Sequence, residues 1–324
     1  MIELKHINKT FKVARRNAGL KEAAKGLFHR EYTEIRALQD VSFTIGDGEM
    51  VGYIGPNGAG KSSTVKIMSG ILTPDSGECV INGRVPWKDR REHVHQIGVV
   101  FGQRSQLWWD VPVVDSFQLL RDIYRVEEDT YRRNLGELTE LLDLGELLKT
   151  PARQLSLGQR MRCEIAASLL HDPKILFLDE PTIGLDAVSK IAVRDFIKGV
   201  NREKKTTVIL TTHDMQDIEA LTERILLIGK GRILMDGSLS QLRRRNSSHK
   251  VVTVEYTGGS LPELPGAKVL KDLGGHAQIG VDTGVLPVSR LIGEIAARAN
   301  VKDIAVSGDS VDDIVLGLYK EFEI

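Results

Sequence analysis

The stretch Gly55–Ser62, GPNGAGKS, joins the apolar run Met50–Ile54 to a segment expected to be helical from about Gly60 to Ser69. Its glycines allow the backbone to curl, so that several N–H groups point at one phosphate chain. Lys61 can then reach the β and γ phosphates, and the Ser62 hydroxyl can bind Mg²⁺. The helix that follows directs its positive end at the same phosphates. The sequence therefore predicts a nucleotide-binding site with a magnesium ion.

A second stretch, Lys174–Glu180, is an apolar run that ends in two carboxylates. A buried strand that delivers Asp179 at its end suits an aspartate that supports magnesium. Glu180, the next residue, can polarise an attacking water. Taken alone, the stretch is better explained as a core strand that runs into an acidic turn. Its combination with the phosphate loop favours the catalytic interpretation.

Composition excludes several classes of protein. The chain has 324 residues, enough for about two domains at roughly 150 residues each. Lys and Arg number 44, as do Asp and Glu, so no surplus of cations is available for a nucleic-acid backbone. Two distant cysteines, Cys79 and Cys163, form no disulfide framework and indicate a reducing compartment. No segment approaches the ~18 apolar residues of a membrane span, and no secretory signal is expected.

Strand-like and helical patterns alternate through the first three quarters of the chain, which predicts a mainly parallel sheet flanked by helices. Ala37–Ile45 alternates apolar and polar residues before the turn Asp47-Gly48 and is expected to be a strand. Residues 115–170 carry apolar side chains at helical spacing, so a helical subdomain is expected over about 104–170. After a polar, basic linker at 241–250, residues 251–324 read as strand, strand, helix, strand, helix.

Five segments together resemble a known family. Leu155–Gln159, LSLGQ, resembles the LSGGQ signature of ABC transporter ATP-binding subunits. Asp179–Thr182 and Gly184–Asp186 resemble the Walker B and D-loop run of that family. His213 follows an apolar strand, where the family has its switch histidine, and Gln103 resembles the Q-loop glutamine. The phosphate loop completes the set in the family's order.

The resemblance covers about residues 2–240 and implies an α/β fold. It implies a P-loop ABC ATPase domain over 1–240, with a RecA-like mixed sheet core and antiparallel β and helical subdomains. The pattern of residues 251–324 separately predicts a small C-terminal α+β domain. In this family, ATP lies between two domains, so the resemblance implies a dimer. The residues implied to contact ATP are Phe11, Gly55, Asn57, Gly58, Ala59, Gly60, Lys61, Ser62, Ser63, Ser156, Gly158, Gln159 and Asp186. The implied catalytic residues are Glu180, His213 and Gln103, and the implied magnesium ligands are Ser62, Gln103 and Asp179.

The signature stretch is also interpretable from its residues. Ser156 reads as the N-cap of a helix over Gly158–Leu170, and a helix N-terminus with a free hydroxyl binds anions. In the family, the N-terminus of this helix binds the γ-phosphate of the ATP that the other subunit holds. Leu157 departs from the family's usual glycine, so we expect activity with a changed approach of the two subunits.

Two assignments leave alternatives. Gly102 is an extra residue before the Q-loop glutamine, and the downstream spacing favours Gln103 over Gln106. Adenine in this family stacks on an aromatic residue after the first strand. Phe11 fits the register better, and Tyr32 is the alternative; core packing would explain either ring.

Other features bear on partners. Residues 12–36 carry seven cations against three anions, a net charge of +4, with a short amphipathic helix expected at Leu20–Phe28. This basic insert is either a solvated surface helix or a contact with anionic lipid headgroups. Trp108-Trp109 is either a docking anchor or core. The pair His93 and His95 lacks a third metal ligand and is expected to be exposed.

The resemblance implies an ATP-hydrolysing subunit of a transporter on the cytoplasmic side of the cell membrane, bound peripherally. Its implied partners are transmembrane permease subunits and a second ATP-binding subunit, with no nucleic acid. The closing stretch Ser310–Val315 resembles that of drug and antibiotic exporters of the daunorubicin type. Together with the insert, it favours export over import. The alternatives are the ATPase subunit of an ABC importer and a soluble ABC ATPase acting on ribosomes or DNA.

Overall fold

The computed structural model describes residues 1–14, 32–102, 104–245, 249–308 and 311–322. The chain divides into two units, Met1–Gly237 and Ser238–Ile324. The strands up to residue 238 are β1 (Ile2–Ala14), β2 (Tyr32–Ile45), β3 (Met50–Ile54), β4 (Ser76–Ile81), β5 (Ile97–Phe101), β6 (Ile175–Asp179), β7 (Thr207–Thr211), β8 (Arg224–Gly229) and β9 (Arg232–Ser238). The helices of the first unit are α1 (Lys61–Met68), α2 (Arg90–Val94), α3 (Val113–Tyr124), α4 (Glu128–Leu142), α5 (Leu157–Leu169), α6 (Ala187–Lys204) and α7 (Met215–Leu221).

A six-stranded sheet in the order β5-β6-β7-β3-β8-β9 forms the centre of the first unit. The pairs β5–β6, β6–β7, β7–β3 and β3–β8 are parallel, as the alternation of patterns predicts. These strands are continuous apolar runs because helices cover both faces of such a sheet. Parallel strands place their carboxyl ends at one edge, which is where ligands bind in open α/β sheets.

A second sheet in the first unit is antiparallel, in the order β2-β1-β4. Ile2 and Leu4 of β1 share one buried core with Tyr53 of β3 and Ile67 of α1. This shared core fixes the antiparallel sheet against the helix that follows the phosphate loop. The mixed architecture agrees with the predicted fold class.

The middle of the first unit is helical, as its periodicity predicts. In α3, Val113, Phe117 and Leu120 recur at helical spacing and are buried. Both α3 and α4 contact α5, and short 3₁₀ turns lie at Leu147–Lys149 and Ala152–Gln154. The chain therefore returns to the central sheet through α5, whose first turn carries the signature stretch.

The basic insert lies largely outside the described residues. The ladder between β1 and β2 continues as far as Ala14 opposite Tyr32, so both ends of the insert are strand. Residues 15–31, which include the predicted helix Leu20–Phe28, are not described. Among the described residues, no helix has both the length and the apolar character needed to cross a membrane.

The second unit contains a four-stranded antiparallel sheet in the order β11-β12-β10-β13. Leu291 and Ile295 of α9 pack on the face formed by Val252, Val254 and Ile279. Its elements are α8 (Leu239–Arg245), β10 (His249–Gly259), β11 (Ala267–Asp272), β12 (His276–Asp282), α9 (Val288–Arg298), β13 (Ala299–Gly308) and α10 (Val311–Glu321).

The structure differs from the sequence-based prediction at two places in this unit. Three strands precede α9 where two were expected, because Gly274 and Gly275, with φ of 69° and 130°, turn the chain between β11 and β12. The predicted linker 241–250 is helical up to Arg245 and a strand from His249. Its helix forms because Leu242 is fully buried.

Burial of Leu291 gives a test of the second unit's core. Leu291 is fully buried, whereas Leu316 of α10 is 54% exposed. We expect Leu291→Ala to lower the free energy of unfolding by about 2–5 kcal/mol, because it leaves a cavity. The control Leu316→Ala should change it by less than about 0.5 kcal/mol. Urea unfolding of the full chain measures both, and equal effects would contradict the assigned packing.

Candidate active site

The phosphate loop lies between β3 and α1 at the carboxyl edge of the central sheet. Gly58 and Gly60 have φ of 81° and 114°, in the left-handed region that glycine adopts readily. A Cβ on Gly60 would lie 2.7 Å from the Ala37 carbonyl oxygen, and one on Gly55 would lie 2.3 Å from that of Ile228. The loop therefore needs glycine at these positions both for its curvature and for its close packing.

Lys61 is 7% exposed and its ammonium group caps the loop. Its Nζ donates to the carbonyl oxygens of Gly55 at 2.6 Å and Pro56 at 3.1 Å. Burial lowers the pKa of Lys61, against the opposing influence of Glu180 and Asp179 nearby. A partly desolvated cation at the loop is well suited to pair with a phosphate anion.

Oxygen donors of the kind that bind magnesium converge beside the loop. The Ser62 hydroxyl lies 3.3 Å from the Asp179 Oδ2, and the Thr211 hydroxyl donates to the other carboxylate oxygen. A hydroxyl and a carboxylate are the oxygen donors that Mg²⁺ prefers. The donor set therefore fits this ion.

Glu180 and His213 meet at the same edge. Glu180 has φ of 55°, and its N–H donates to the Thr211 carbonyl oxygen at 2.9 Å. The His213 Nδ1 lies 3.2 Å from the Glu180 Oε1. A glutamate side chain 22% exposed and a histidine 61% exposed thus face solvent together beside the candidate magnesium ligands. This pair can orient a water and sense an adjacent anion.

Gly102 is the first residue after β5 and lies against the backbone of Asp179 and Glu180. Its N–H donates to the Asp179 carbonyl oxygen at 2.8 Å, and a Cβ there would lie 2.9 Å from the carbonyl oxygens of both Asp179 and Glu180. Only glycine allows this close approach of backbones. The extra residue therefore brings the chain against the carboxylate loop just before Gln103, which lies outside the described residues.

The side chain of Gln106, the alternative Q-loop glutamine, is held by hydrogen bonds to other parts of the protein. Its side-chain amide donates to the carbonyl oxygens of Val99 at 3.1 Å and Glu164 at 3.4 Å. These bonds hold the amide against the protein rather than toward the phosphate loop. The observation favours Gln103 as the catalytic glutamine, whose role stays a prediction.

The signature stretch begins α5 as a capping box. The Gln159 N–H donates to the Ser156 hydroxyl at 3.2 Å, and the Ser156 N–H donates to the Gln159 side-chain oxygen at 2.9 Å. Ser156 is the predicted N-cap, and the helix starts one residue earlier than expected, at Leu157. The Gln159 side chain is therefore engaged in the cap, and its contact with nucleotide stays a prediction.

The unusual Leu157 has a partner in the D-loop. Gly184 has φ of 70°, and a Cβ on it would lie 2.7 Å from the Leu157 Cδ2. A Cβ on Gly158 would lie 2.7 Å from the Ser189 hydroxyl of α6. The first turn of α5 thus packs closely on the D-loop and α6, and Gly184 provides the space for the larger side chain.

Asp186 caps α6. Its carboxylate accepts from the Ser189 N–H at 2.8 Å and the Ser189 hydroxyl at 3.1 Å, and these bonds lower its pKa. Both Asp186 and Ser156 are exposed at helix N-termini. Exposed N-terminal turns of this kind are available to an anion held by another molecule.

Neither candidate aromatic residue belongs to the core. Phe11 is 36% exposed and Tyr32 is 54% exposed. The Lys9 Nζ lies 5.8 Å from the centre of the Phe11 ring. Both rings are therefore accessible, and the choice of Phe11 for adenine stays a prediction.

The expectation that both histidines of the His93 and His95 pair are exposed is wrong for the first. His93 is 1% exposed, and its Nε2 lies 2.7 Å from the Met68 carbonyl oxygen. Burial lowers its pKa. His93 therefore serves the packing of α2 against α1.

Two residues at the site were not identified from the sequence. Thr211 holds the Asp179 carboxylate, and Glu164 of α5 accepts from the Ser105 hydroxyl and, at 3.0 Å, from the Gln106 N–H. Burial raises the pKa of Glu164. A signal existed for each: a threonine at the end of an apolar strand, and a carboxylate on the apolar side of a helix.

The glycines give a stability test. We expect Gly60→Ala to lower the free energy of unfolding by about 1–3 kcal/mol more than Gly58→Ala, because only Gly60 adds a steric clash to the backbone strain. Gly136 lies inside α4 with open space around it, so Gly136→Ala should raise stability by roughly 0.5–1 kcal/mol. Urea unfolding measures all three, and equal losses at positions 58 and 60 would contradict the loop geometry.

Comparison with known proteins agrees with this geometry. The family model described as ABC transporter matches residues 38–183. The ABC transporter ATP-binding protein YhcH of Bacillus subtilis (strain 168) is 33% identical over 61% of this chain, which spans 63% of that relative's length. The daunorubicin resistance ATP-binding protein DrrA3 of Streptomyces coeruleorubidus is 30% identical over 72% of this chain and 73% of its own length.

A solved structure shares the fold. The ATP-binding cassette MJ0796, in a dimeric post-hydrolysis state bound to ADP and Pi, is 27% identical, with a TM-score of 0.61 over 74% of this chain and 99% of its own. The match to the family model, the two relatives and the shared fold agree with the loop, carboxylate and signature geometry. The chain belongs to the ABC transporter family, as an ATP-binding protein with an ABC-type ATPase domain.

Proposed function

We propose that this chain hydrolyses ATP to power export of a drug-like or amphiphilic molecule through separate transmembrane subunits. One observation supports ATP hydrolysis. The Lys61 ammonium, the Ser62–Asp179 pair and the Glu180–His213 pair lie together at one edge of the sheet. The direction is supported by the similarity to a daunorubicin resistance protein.

The chemistry follows from the groups at this edge. The Lys61 ammonium exchanges loop carbonyls for the phosphates of ATP and offsets their charge. Ser62 and Asp179, together with Gln103, would hold Mg²⁺, which would neutralise further phosphate charge. The Glu180 carboxylate accepts a hydrogen bond from the attacking water and orients it. His213, in contact with Glu180, senses the γ-phosphate.

Closure of the site over ATP requires a second ATP-binding subunit. The exposed N-terminal turn at Ser156 supplies a hydroxyl and helix N–H groups, which bind a phosphate held by another subunit. Asp186 lies at a second exposed cap. We propose that two ATP-binding subunits close over two ATP molecules, in line with the dimeric MJ0796 cassette.

The transmembrane partner would dock beside the Q-loop. Trp108 and Trp109 are 60% and 53% exposed, so neither belongs to the core. The Arg160 guanidinium lies 6.0 Å from the Trp109 ring, which orients that ring beside the signature turn. Exposed tryptophans are strong interface anchors. The chain would therefore lie peripherally on the cytoplasmic side of the membrane, with the basic insert 12–36 available for anionic lipid headgroups.

The role of Glu180 has a direct test. We expect Glu180→Gln to bind ATP with the parent affinity but to hydrolyse it at least about 10²-fold more slowly, because the amide cannot polarise the water. Blocked hydrolysis should trap an ATP-bound dimer, which light scattering detects. The control Glu223→Gln, at an exposed position, should behave as the parent. Hydrolysis by Glu180→Gln at the parent rate would remove Glu180 from this role.

A further inference from the structure

Asp217, on the short helix α7, carries a fully buried side chain. A buried carboxylate is costly unless it is paired and fully hydrogen-bonded. Its neighbours Met215, Ile218 and Leu221 form the apolar side of the same helix. An acid in this position therefore needs a set of partners inside the protein, and the structure provides them.

Both carboxylate oxygens of Asp217 are engaged. The Oδ2 accepts from the Thr182 hydroxyl and, at 3.3 Å, from the Thr212 hydroxyl. The Oδ1 accepts a hydrogen bond from the Arg194 Nε at 2.6 Å and lies 2.5 Å from its Nη2 as an ion pair. Both threonines are 2% exposed. The Arg194 side chain is 13% exposed, so this is a buried ion pair with two further hydrogen bonds.

Each partner of Asp217 belongs to a segment that carries a nucleotide-facing residue. Thr182 stands two residues after Glu180, and Thr212 directly precedes His213. Arg194 lies on α6, whose N-cap is the D-loop aspartate. One buried carboxylate thus joins the loop after β6, the loop after β7 and the helix that follows the D-loop.

We propose that Asp217 is a positioning residue for ATP hydrolysis, which fixes the Glu180 carboxylate relative to His213. The inference rests on the proposed roles of those two residues. Glu180 stands outside the strand with φ of 55°, so its direction depends on how the following loop is anchored. Thr182 anchors that loop and Thr212 anchors the histidine, both on the same carboxylate oxygen. The contact of 3.2 Å between Glu180 and His213 is the result.

The test separates positioning from stability. Thr182→Val and Thr212→Val each remove one hydroxyl at nearly constant volume, whereas Thr182→Ser and Thr212→Ser retain it. Thr222→Val is the matched control, because Thr222 is also buried, at 4% exposed, and its hydroxyl donates to the Ile218 carbonyl oxygen of the helix that it follows, at 3.0 Å. ATP hydrolysis by the full chain gives kcat and KM for each variant, and thermal unfolding gives its stability.

We expect both valine variants to lower kcat by about 10- to 100-fold with KM within about 2-fold of the parent, since a small misplacement of a catalytic group has such an effect. The serine variants should recover at least half of the parent kcat, and Thr222→Val should retain it. A kcat for the valine variants within 2-fold of the parent would overturn the inference. A loss of kcat in Thr222→Val as large as that in the two test variants would also overturn the inference.

A combined variant distinguishes this inference from the role of Glu180 itself. If Asp217 acts through Glu180, adding Asp217→Asn to Glu180→Gln should lower single-turnover hydrolysis by less than about 2-fold beyond Glu180→Gln alone. A further loss of 10-fold or more would overturn the inference. Parent-like hydrolysis by Glu180→Gln would overturn both proposals. Loss of hydrolysis in Glu180→Gln, with a parent kcat in Thr182→Val and Thr212→Val, would overturn only the positioning role.

Discussion

The register of three neighbouring parallel strands is the constraint on which the candidate site depends. Strand β6 pairs with β5 and β7 so that Phe101, Asp179 and Thr211 stand side by side at the ends of their strands. The residues that leave these strands therefore meet in space. Glu180 and His213 come into contact because their strands end at the same level. A shift of one register position between β6 and β7 would move Asp179 away from Thr211 and Glu180 away from His213.

At this edge several charged side chains are partly removed from water, which costs free energy for each one taken alone. Opposite charges and hydrogen-bond partners offset that cost. The Lys61 ammonium is partly desolvated and is held by loop carbonyls, with two carboxylates nearby. Asp179 is held by a threonine from the next strand, and Asp217 is paired with Arg194. Each ionic group thus has partners within the protein. Preorganised groups of this kind need little rearrangement when phosphate charge enters the site.

The sequence was sufficient for the residues whose chemistry follows from local spacing. The phosphate loop, Asp179 and the Ser156 cap depend on neighbours within a few positions, and the structure shows the expected strand, loop and helix around them. Thr211 was not assigned, although it ends an apolar strand, because its partner depends on which strand lies beside β6. Asp217 depends in the same way on contacts between segments far apart in sequence. His93 was misjudged because its burial comes from α1, which precedes it by many residues.

The structure explains two residues that depart from the family pattern, Gly102 and Leu157. Gly102 is required because a side chain there would clash with two carbonyl oxygens, and Leu157 is accommodated by Gly184 across the signature turn. These contacts depend on packing between segments, which spacing alone does not describe. They show that Gly102 and Leu157 each depend on close packing against a loop that is distant in sequence.

The most direct test of the proposed function is purification of the full chain from detergent-solubilised membranes of its native host, with mass spectrometry of the proteins that accompany it. The account predicts a hydrophobic protein with several membrane spans, in stoichiometric amount. Recovery of an active ATPase only from the soluble fraction, accompanied by ribosomal or DNA-repair proteins, would contradict the transport function.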